Sequence, residues 1–223
     1  MTAPALEVVP FGDAAVLVRI AVAGGIEGAR RARAVANAIE SVRAAQAAIG
    51  EPVPAAGTVL VPFDPLALTT EQAAALIEPA LRLAADDTSP GSAGSHHEIA
   101  VRYGGEDGPD LEAVAAETGL TPRDVVDLHA GTTYEVLFLG FAPGFAYLGE
   151  LPEALRLPRL ATPRPRVPAG SVAIAGAMTA VYAHPSPGGW RLLGRTDAAV
   201  FDAASSAAAR LRPGDRVRFV PVR

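Results

Sequence analysis

The chain has 223 residues, half of them hydrophobic and 19% charged, with a formal net charge of −5, no cysteine and no lysine, so that all 19 basic residues are arginine. This composition fits a globular protein of one large or two small domains. It excludes disulfides, thiolate metal sites, a cysteine nucleophile, a Schiff-base lysine and a Walker-type phosphate loop. No basic run is interleaved with aromatics, no apolar run is long enough to span a membrane, and the opening MTAPALEVVPFGDAAV lacks the layout of a secretory signal. Neither nucleic acid nor membrane is therefore expected as a partner, and the expected location is cytoplasmic.

Leu6–Val9 and Ala14–Ile20 have the pattern of short strands around a Phe-Gly-Asp turn. A helix is predicted over residues 27–49, with Ala32, Val35, Ile39, Val42 and Ile49 on its apolar face and Arg30, Arg31, Arg33, Glu40 and Arg43 on the remaining surface. Thr58–Phe63 forms a further strand. Thr69 and Gln72 have capping-box spacing for a second helix, whose apolar face is Ala73, Leu76, Ile77 and Leu81 and which Pro79 should kink or restart. Residues 1–85 thus make a small α+β domain, a sheet covered on one face by two helices. Residues 86–97 are small, polar and turn-prone; they are expected to be a linker in which His96 and His97 are solvated.

Residues 98–223 form the second domain, opening with an alternating strand at Glu98–Tyr103. Asp110 is placed to cap a short helix that stops at Gly119. Thr121 is placed to cap another, with Pro122 at its first position and Asp124 near its third. After His129 come short strands between glycine and proline turns: Glu135–Leu139, Ser171–Ala175, Thr179–Ala183, Trp190–Leu193 and Val217–Val220. That pattern predicts an all-β barrel or sandwich. The alanine-rich run 203–209 is expected to be a short helix.

The chemistry concentrates between Tyr134 and Thr196, where glycine, proline, arginine and aromatic residues accumulate. Arg156, Arg159, Arg164 and Arg166 crowd one proline-rich connection, and Pro163 and Pro165 stiffen the backbone around Arg164. A guanidinium fork suits a carboxylate or a phosphate. Phe141, Phe145 and Tyr147 have the placing of pocket walls, Trp190 that of a core anchor, and Arg195 beside Thr196 that of a second anion contact. His129 has two open readings, a C-terminal helix cap favoured by the dipole or a proton-transfer group at a pocket edge. His184 is expected at the surface. No histidine pair has metal-motif spacing, so no metal site is expected.

Several segments carry a resemblance: Gly-Gly-Glu-Asp-Gly-Pro-Asp-Leu (104–111), Thr-Gly-Leu (118–120), Gly-Phe-Ala-Pro-Gly-Phe-Ala-Tyr-Leu (140–148), Pro-Arg-Leu-Ala-Thr-Pro-Arg (158–164), Val-Pro-Ala-Gly-Ser-Val-Ala-Ile-Ala-Gly (167–176), Pro-Gly-Gly-Trp (187–190), Gly-Arg-Thr (194–196) and Pro-Gly-Asp-Arg-Val-Arg-Phe (213–219). With His129, they make the chain resemble the family formed by the B subunits of prokaryotic ATP-dependent 5-oxoprolinases, which also holds the kinase inhibitor KipI and allophanate hydrolase subunit 1. The first domain matches loosely, through residues 11–13 and 59–65.

The resemblance implies an N-terminal α+β domain followed by a mainly-β, cyclophilin-like barrel. It implies a complex with subunits C and A that opens 5-oxo-L-proline to L-glutamate with ATP. The nucleotide would be held by a partner and no cofactor by this chain alone. The site residues expected are His129 as catalytic; Arg164, Tyr147, Thr179, Tyr182 and Arg195 as substrate-binding; and Phe141, Pro143, Gly144, Pro168, Gly170, Gly188, Gly189 and Trp190 as pocket scaffold. The alternatives are a KipI-like inhibitor of a sensor histidine kinase, or an allophanate hydrolase subunit 1-like part of a biotin-dependent urea amidolyase. One departure stands out: the family often has Asn-Gln-Thr-Gly-Ile-Tyr-Pro where this chain has Ala-Met-Thr-Ala-Val-Tyr-Ala at 177–183.

Overall fold

The structure is a computed structural model, and residues 6–21, 25–86, 94–205 and 208–222 are described. The chain divides into two compact units, Met1–Ser92 and Ala93–Arg223. In the first unit the strands are β1 (Leu6–Pro10), β2 (Ala15–Ile20), β3 (Val53–Pro54) and β4 (Thr58–Pro62), with helices α1 (Ile26–Ala45) and α2 (Thr70–Asp86). The sheet order is β1-β2-β4-β3, and every pairing is antiparallel. Val16, Val18 and Ile20 alternate along β2, and Val59 and Val61 along β4, so one face of the sheet is apolar. That face packs with Ala32, Val35 and Ile39 of α1 and Ala73, Ile77 and Leu81 of α2.

Local signals explain the helix limits. Thr69 and Gln72 exchange reciprocal hydrogen bonds of 2.8 and 3.3 Å at the start of α2, which continues through Pro79 without a break. Helix α1 ends at Ala45, short of the predicted 49, and Ile49 instead bridges Phe63. Arg31 is buried, against the expectation that it faces solvent, because α1 is covered on more of its circumference than the hydrophobic stripe alone implies.

The second unit runs β5 (His96–Tyr103), α3 (Leu111–Thr118), α4 (Pro122–Gly131), β6 (Thr133–Leu139), β7 (Ala146–Gly149), β8 (Arg164–Val167), β9 (Ser171–Ala175), β10 (Met178–Val181), β11 (Ser186–Gly188), β12 (Arg191–Arg195) and β13 (Arg216–Val222). Seven strands close into a barrel in the order β10-β7-β6-β13-β5-β12-β9, and β11 and β8 pair as a separate ribbon. The barrel is mixed: β13 runs parallel to β5 and antiparallel to β6.

His96 and His97, assigned from the sequence to the linker, already belong to β5. His97 Nε2 lies 3.0 Å from the Asp215 carboxylate, which also accepts from the backbone N–H groups of Ser95 and Arg212. Residues 87–93 of that linker lie outside the described residues. Helix α4 opens with a full capping box between Thr121 and Asp124, and α3 stops at left-handed Gly119. The described part of 203–209 is turn and bridge rather than helix; Ala209 pairs with Phe201. Among the described residues no helix is long and apolar enough to cross a membrane.

Successive side chains of the barrel wall point to opposite faces, and this separates two cores. Leu148, Val172, Ile174, Val181 and Leu193 point inward, with Ile99, Tyr134 and Phe219. Tyr147, Ala173, Ala175, Ala180 and Leu192 point outward, and pack with Phe145, Tyr182 and Trp190 into a second apolar cluster. Val167 of the β8 strand belongs to that cluster, so the ribbon covers the outer face of the wall.

Candidate functional site

The outer cluster is the place where aromatic walls and arginine meet. Phe145 stands edge-on to Tyr147, Tyr182 and Trp190, with ring centroids 5.0, 5.3 and 5.8 Å apart. Tyr147 also stacks on Phe138 at 4.4 Å. Edge-to-face contacts of this kind hold rings in fixed orientations as well as burying area. Phe145, Tyr182 and Trp190 are buried, whereas Phe141 is 61% exposed and meets Phe145 and Tyr182 from above. Phe141 has φ of 66°, an unusual region for a bulky side chain, and so is held on the rim by its surroundings rather than by local preference.

Two glycines make the close packing possible. A Cβ on Gly188 would overlap the Tyr182 hydroxyl, and one on Gly144, at φ 76°, would overlap Phe201. Gly189 is buried and its carbonyl accepts from the Leu160 N–H at 2.7 Å. Gly170 ties the end of β10 to β12 by donating to the Tyr182 carbonyl at 2.8 Å and accepting from the Thr196 N–H at 2.9 Å. Pro143 and Pro168 are exposed on the connecting loops. Burial raises the hydroxyl pKa of both Tyr147 and Tyr182, with the Arg159 charge opposing it at each and Arg164 also opposing it at Tyr182.

Arginine lines one side of this cluster. Arg159 is exposed, with its guanidinium 6.0 Å from the centre of the Trp190 ring. Arg164 opens β8 with its side chain 29% exposed, and its Nη2 donates to Asp110 Oδ1 at 2.6 Å. Its Nη1 is buried without a hydrogen-bond partner among the described residues. A buried, charged donor of this kind is costly unless something accepts from it. Arg191, by contrast, is a buried structural arginine that donates to Glu117 at 2.5 Å and to the Pro158 carbonyl at 3.0 Å.

The remaining expected residues lie elsewhere. Thr179 and Tyr182, neighbours in sequence, fall on opposite faces of the wall: Thr179 is fully buried inside the barrel and Tyr182 joins the outer cluster. Arg195 is exposed on β12 near Asp197, whose carboxyl is held below its ordinary range first by hydrogen bonds from Arg102 and, to a smaller extent, by Arg195.

His129 is fully buried and sits among Phe219, Tyr134 and Tyr103, with ring centroids at 4.7, 5.4 and 5.8 Å. The Thr179 hydroxyl donates to the Ala173 carbonyl at 3.0 Å and so accepts from His129 Nε2–H at 2.9 Å. That fixes the tautomer and leaves Nδ1 to accept from the Tyr103 hydroxyl at 2.7 Å. Burial pushes the imidazole pKa down from 6.5 to about 3, so the ring is neutral. A neutral ring bonded inside the barrel does not cap α4 through its charge, and it presents no free nitrogen to a substrate.

Asp110, which the sequence places only as a helix cap, is the residue that holds the Arg164 guanidinium. It stands at the N-cap of α3 but makes no side-chain cap bond. Only its place in the 104–111 motif, two residues after Gly108, singled it out. Among the described residues there is no cluster of three or more His, Cys, Asp or Glu that could hold a metal ion.

A family model, carboxyltransferase domain, subdomain C and D, matches residues 6–211. The chain belongs to this family. Within the carboxyltransferase-domain family it is 57% identical over 124 residues to the B subunit of 5-oxoprolinase from Escherichia coli O157:H7, a match covering 56% of this chain and 57% of that protein. The chain spans little more than half the length of the curated relatives it matches. Among solved structures, that of TTHA0988 is 40% identical with a TM-score of 0.79, covering 95% of this chain and 40% of that one. The Kluyveromyces lactis urea carboxylase structure shares the fold, with a TM-score of 0.81 at 18% identity, over 99% of this chain and 22% of that one. The resemblance that the motifs carry to the 5-oxoprolinase B subunits is therefore found by comparison as well.

Proposed function

We propose that this chain is the B subunit of an ATP-dependent 5-oxoprolinase, a cytoplasmic hydrolase complex with subunits A and C that opens 5-oxo-L-proline to L-glutamate. Its barrel is cyclophilin-like in this reading. The observation that carries the proposal is Arg164 Nη1, a buried donor without a partner among the described residues, on the residue that pairs with Gly188 against the Tyr182 hydroxyl. It supports a small ligand with one carboxylate on a compact ring, which is the shape and charge of 5-oxo-L-proline. The name of the 57% identical relative supports the same reading.

In this scheme Arg164 donates to the substrate carboxylate and Phe141, Tyr147 and Tyr182 enclose the ring. Gly144, Gly188 and Trp190 keep those walls in place, with Pro143, Pro168, Gly170 and Gly189 shaping the loops behind them. Arg195 and Thr179 lie outside this contact set, the first on the barrel surface and the second inside with His129. ATP activates the otherwise inert lactam carbonyl. A chain without lysine builds no Walker-type loop. The Arg164 guanidinium is already half engaged by Asp110. These residues do not fit a triphosphate, so the nucleotide belongs to a partner.

The test is co-expression with subunits A and C, followed by an assay of glutamate release that depends on ATP and 5-oxo-L-proline. Arg164→Lys keeps a cation for Asp110 but lacks the second nitrogen, and activity is expected to fall about tenfold or more, the size of a charge-assisted hydrogen bond. Full activity in Arg164→Lys would remove Arg164 from the substrate site. Phosphate release driven by 5-oxo-L-proline from the isolated chain would refute the placing of ATP on a partner.

A further inference from the structure

We infer that Asp110 is a positioning residue that sets both the aim of Arg164 and the charge of ligand that the site accepts; the inference rests on the proposed function above. Aspartate at an N-cap ordinarily accepts from the first turn of its helix, which is why it is favoured there. Asp110 is at that position, with φ −98° and ψ −3°, and does not do so. Its two carboxylate oxygens go elsewhere: Oδ1 to Arg164 Nη2 at 2.6 Å and Oδ2 to the Leu192 N–H at 2.7 Å. Its own N–H donates back to the Leu192 carbonyl at 3.0 Å, so residue 110 is bolted to β12 by two bonds.

The support continues behind it. A Cβ on Gly108 would overlap the Leu193 carbonyl, and Gly104 donates to that same carbonyl at 3.0 Å. The contact falls where the register between β12 and β9 shifts, between Leu192 and Gly194. The loop 104–110 is thereby fixed to the barrel wall directly behind the outer cluster, of which Leu192 is a member. Asp110 itself is buried, so its grip on the guanidinium is little weakened by solvent.

Two consequences follow from this geometry. Holding Nη2 orients the planar fork, and with it Nη1, without help from the ligand. The Asp110–Arg164 pair is also neutral as a whole. A monocarboxylate can take Nη1 while meeting one nearby negative charge, whereas a phosphate dianion meets the same charge with twice the repulsion. Asp110 therefore selects a singly charged ligand.

Trp190 is the only tryptophan and lies in this cluster, so its fluorescence reports binding without an activity assay. The full chain is titrated with 5-oxo-L-proline and with inorganic phosphate, as wild type, Asp110→Asn and Arg164→Lys. Wild type is expected to prefer 5-oxo-L-proline. Asp110→Asn leaves a net positive charge and a loosened fork, so that preference should shrink about tenfold or more, through weaker 5-oxo-L-proline binding and stronger phosphate binding. Loss of structure alone weakens both ligands and does not strengthen phosphate.

An unchanged preference in Asp110→Asn, with Arg164→Lys impaired, overturns the inference and leaves the function reading standing. A wild-type chain that does not respond to 5-oxo-L-proline overturns that reading and the inference with it. If Asp110→Asn does not fold, Asp110→Glu decides. It keeps the charge on a longer arm, so it should retain the preference while binding 5-oxo-L-proline more weakly; phosphate preference in Asp110→Glu refutes the inference.

Discussion

Trp190→Ala is expected to lower stability by about 3–5 kcal/mol, the range for removing a large buried aromatic from a packed core. The side chain is 4% exposed and stands edge-on to both Phe145 and Tyr147, each 5.8 Å away between ring centroids. Its loss leaves a void between the barrel wall and the ribbon β8–β11. The neighbours cannot easily collapse into that void, because Gly188 already lies against the Tyr182 hydroxyl and Val167 is fully buried. In thermal unfolding the melting temperature should drop by roughly 10 °C or more. A melting curve within about 2 °C of wild type would show that Trp190 is a removable part of the ligand wall and not a structural anchor. Arg164→Ala is a poorer probe of the site than its place in a proline-rich run implies. It would leave the buried Asp110 carboxylate short of a partner, a loss that itself costs about 1–3 kcal/mol. Lysine at 164 separates the two effects better.

Much of the molecule was legible because local signals and tertiary structure agree. The capping boxes at Thr69 and Thr121 are sequence patterns whose physics is complete within four residues. The aromatic and arginine content of 141–190 likewise points to the face where Phe141, Tyr147, Tyr182 and Arg164 gather.

What escaped was set by longer-range geometry. Thr179 and Tyr182 look like one site in the sequence, but the pleat of the barrel wall sends them to opposite faces. The β8 strand, Arg-Pro-Arg-Val, has the composition of a loop; it is strand because Val167 pairs with Ser186 of β11 and Arg164 with Gly188. Asp110 looks like a cap, and only the contact between residues 110 and 192 reveals its other use. His129 looks like a pocket histidine, but its partners Tyr103, Thr179 and Phe219 come from three separate strands that no local pattern connects.

The same buried histidine should make the protein measurably acid-sensitive well above the carboxylate range. In the folded chain the His129 pKa is depressed from 6.5 to about 3 because the ring is wholly removed from water. Unfolding returns it to the ordinary value, so below pH 6.5 the unfolded state binds a proton that the folded state refuses. The sign is therefore fixed: the stability associated with neutral His129 is complete above about pH 6.5 and is lost progressively as pH falls toward 3. At pH 5 the gap between solution and the unfolded pKa amounts to about 2 kcal/mol. Replacing the ring with a neutral amide, His129→Gln, removes the titration while keeping a donor and an acceptor for Thr179 and Tyr103. The variant is expected to be less stable than wild type at pH 7.5, since it loses the stacking on Phe219 at 4.7 Å. Between pH 7.5 and pH 5, however, it should lose about 2 kcal/mol less than wild type does, because every other titrating group is common to both. Denaturant unfolding at the two pH values measures this difference directly. Parallel losses in the two proteins would mean that His129 takes up its proton in the folded state, and that the chain from Tyr103 through the imidazole to Thr179 opens under mild acid.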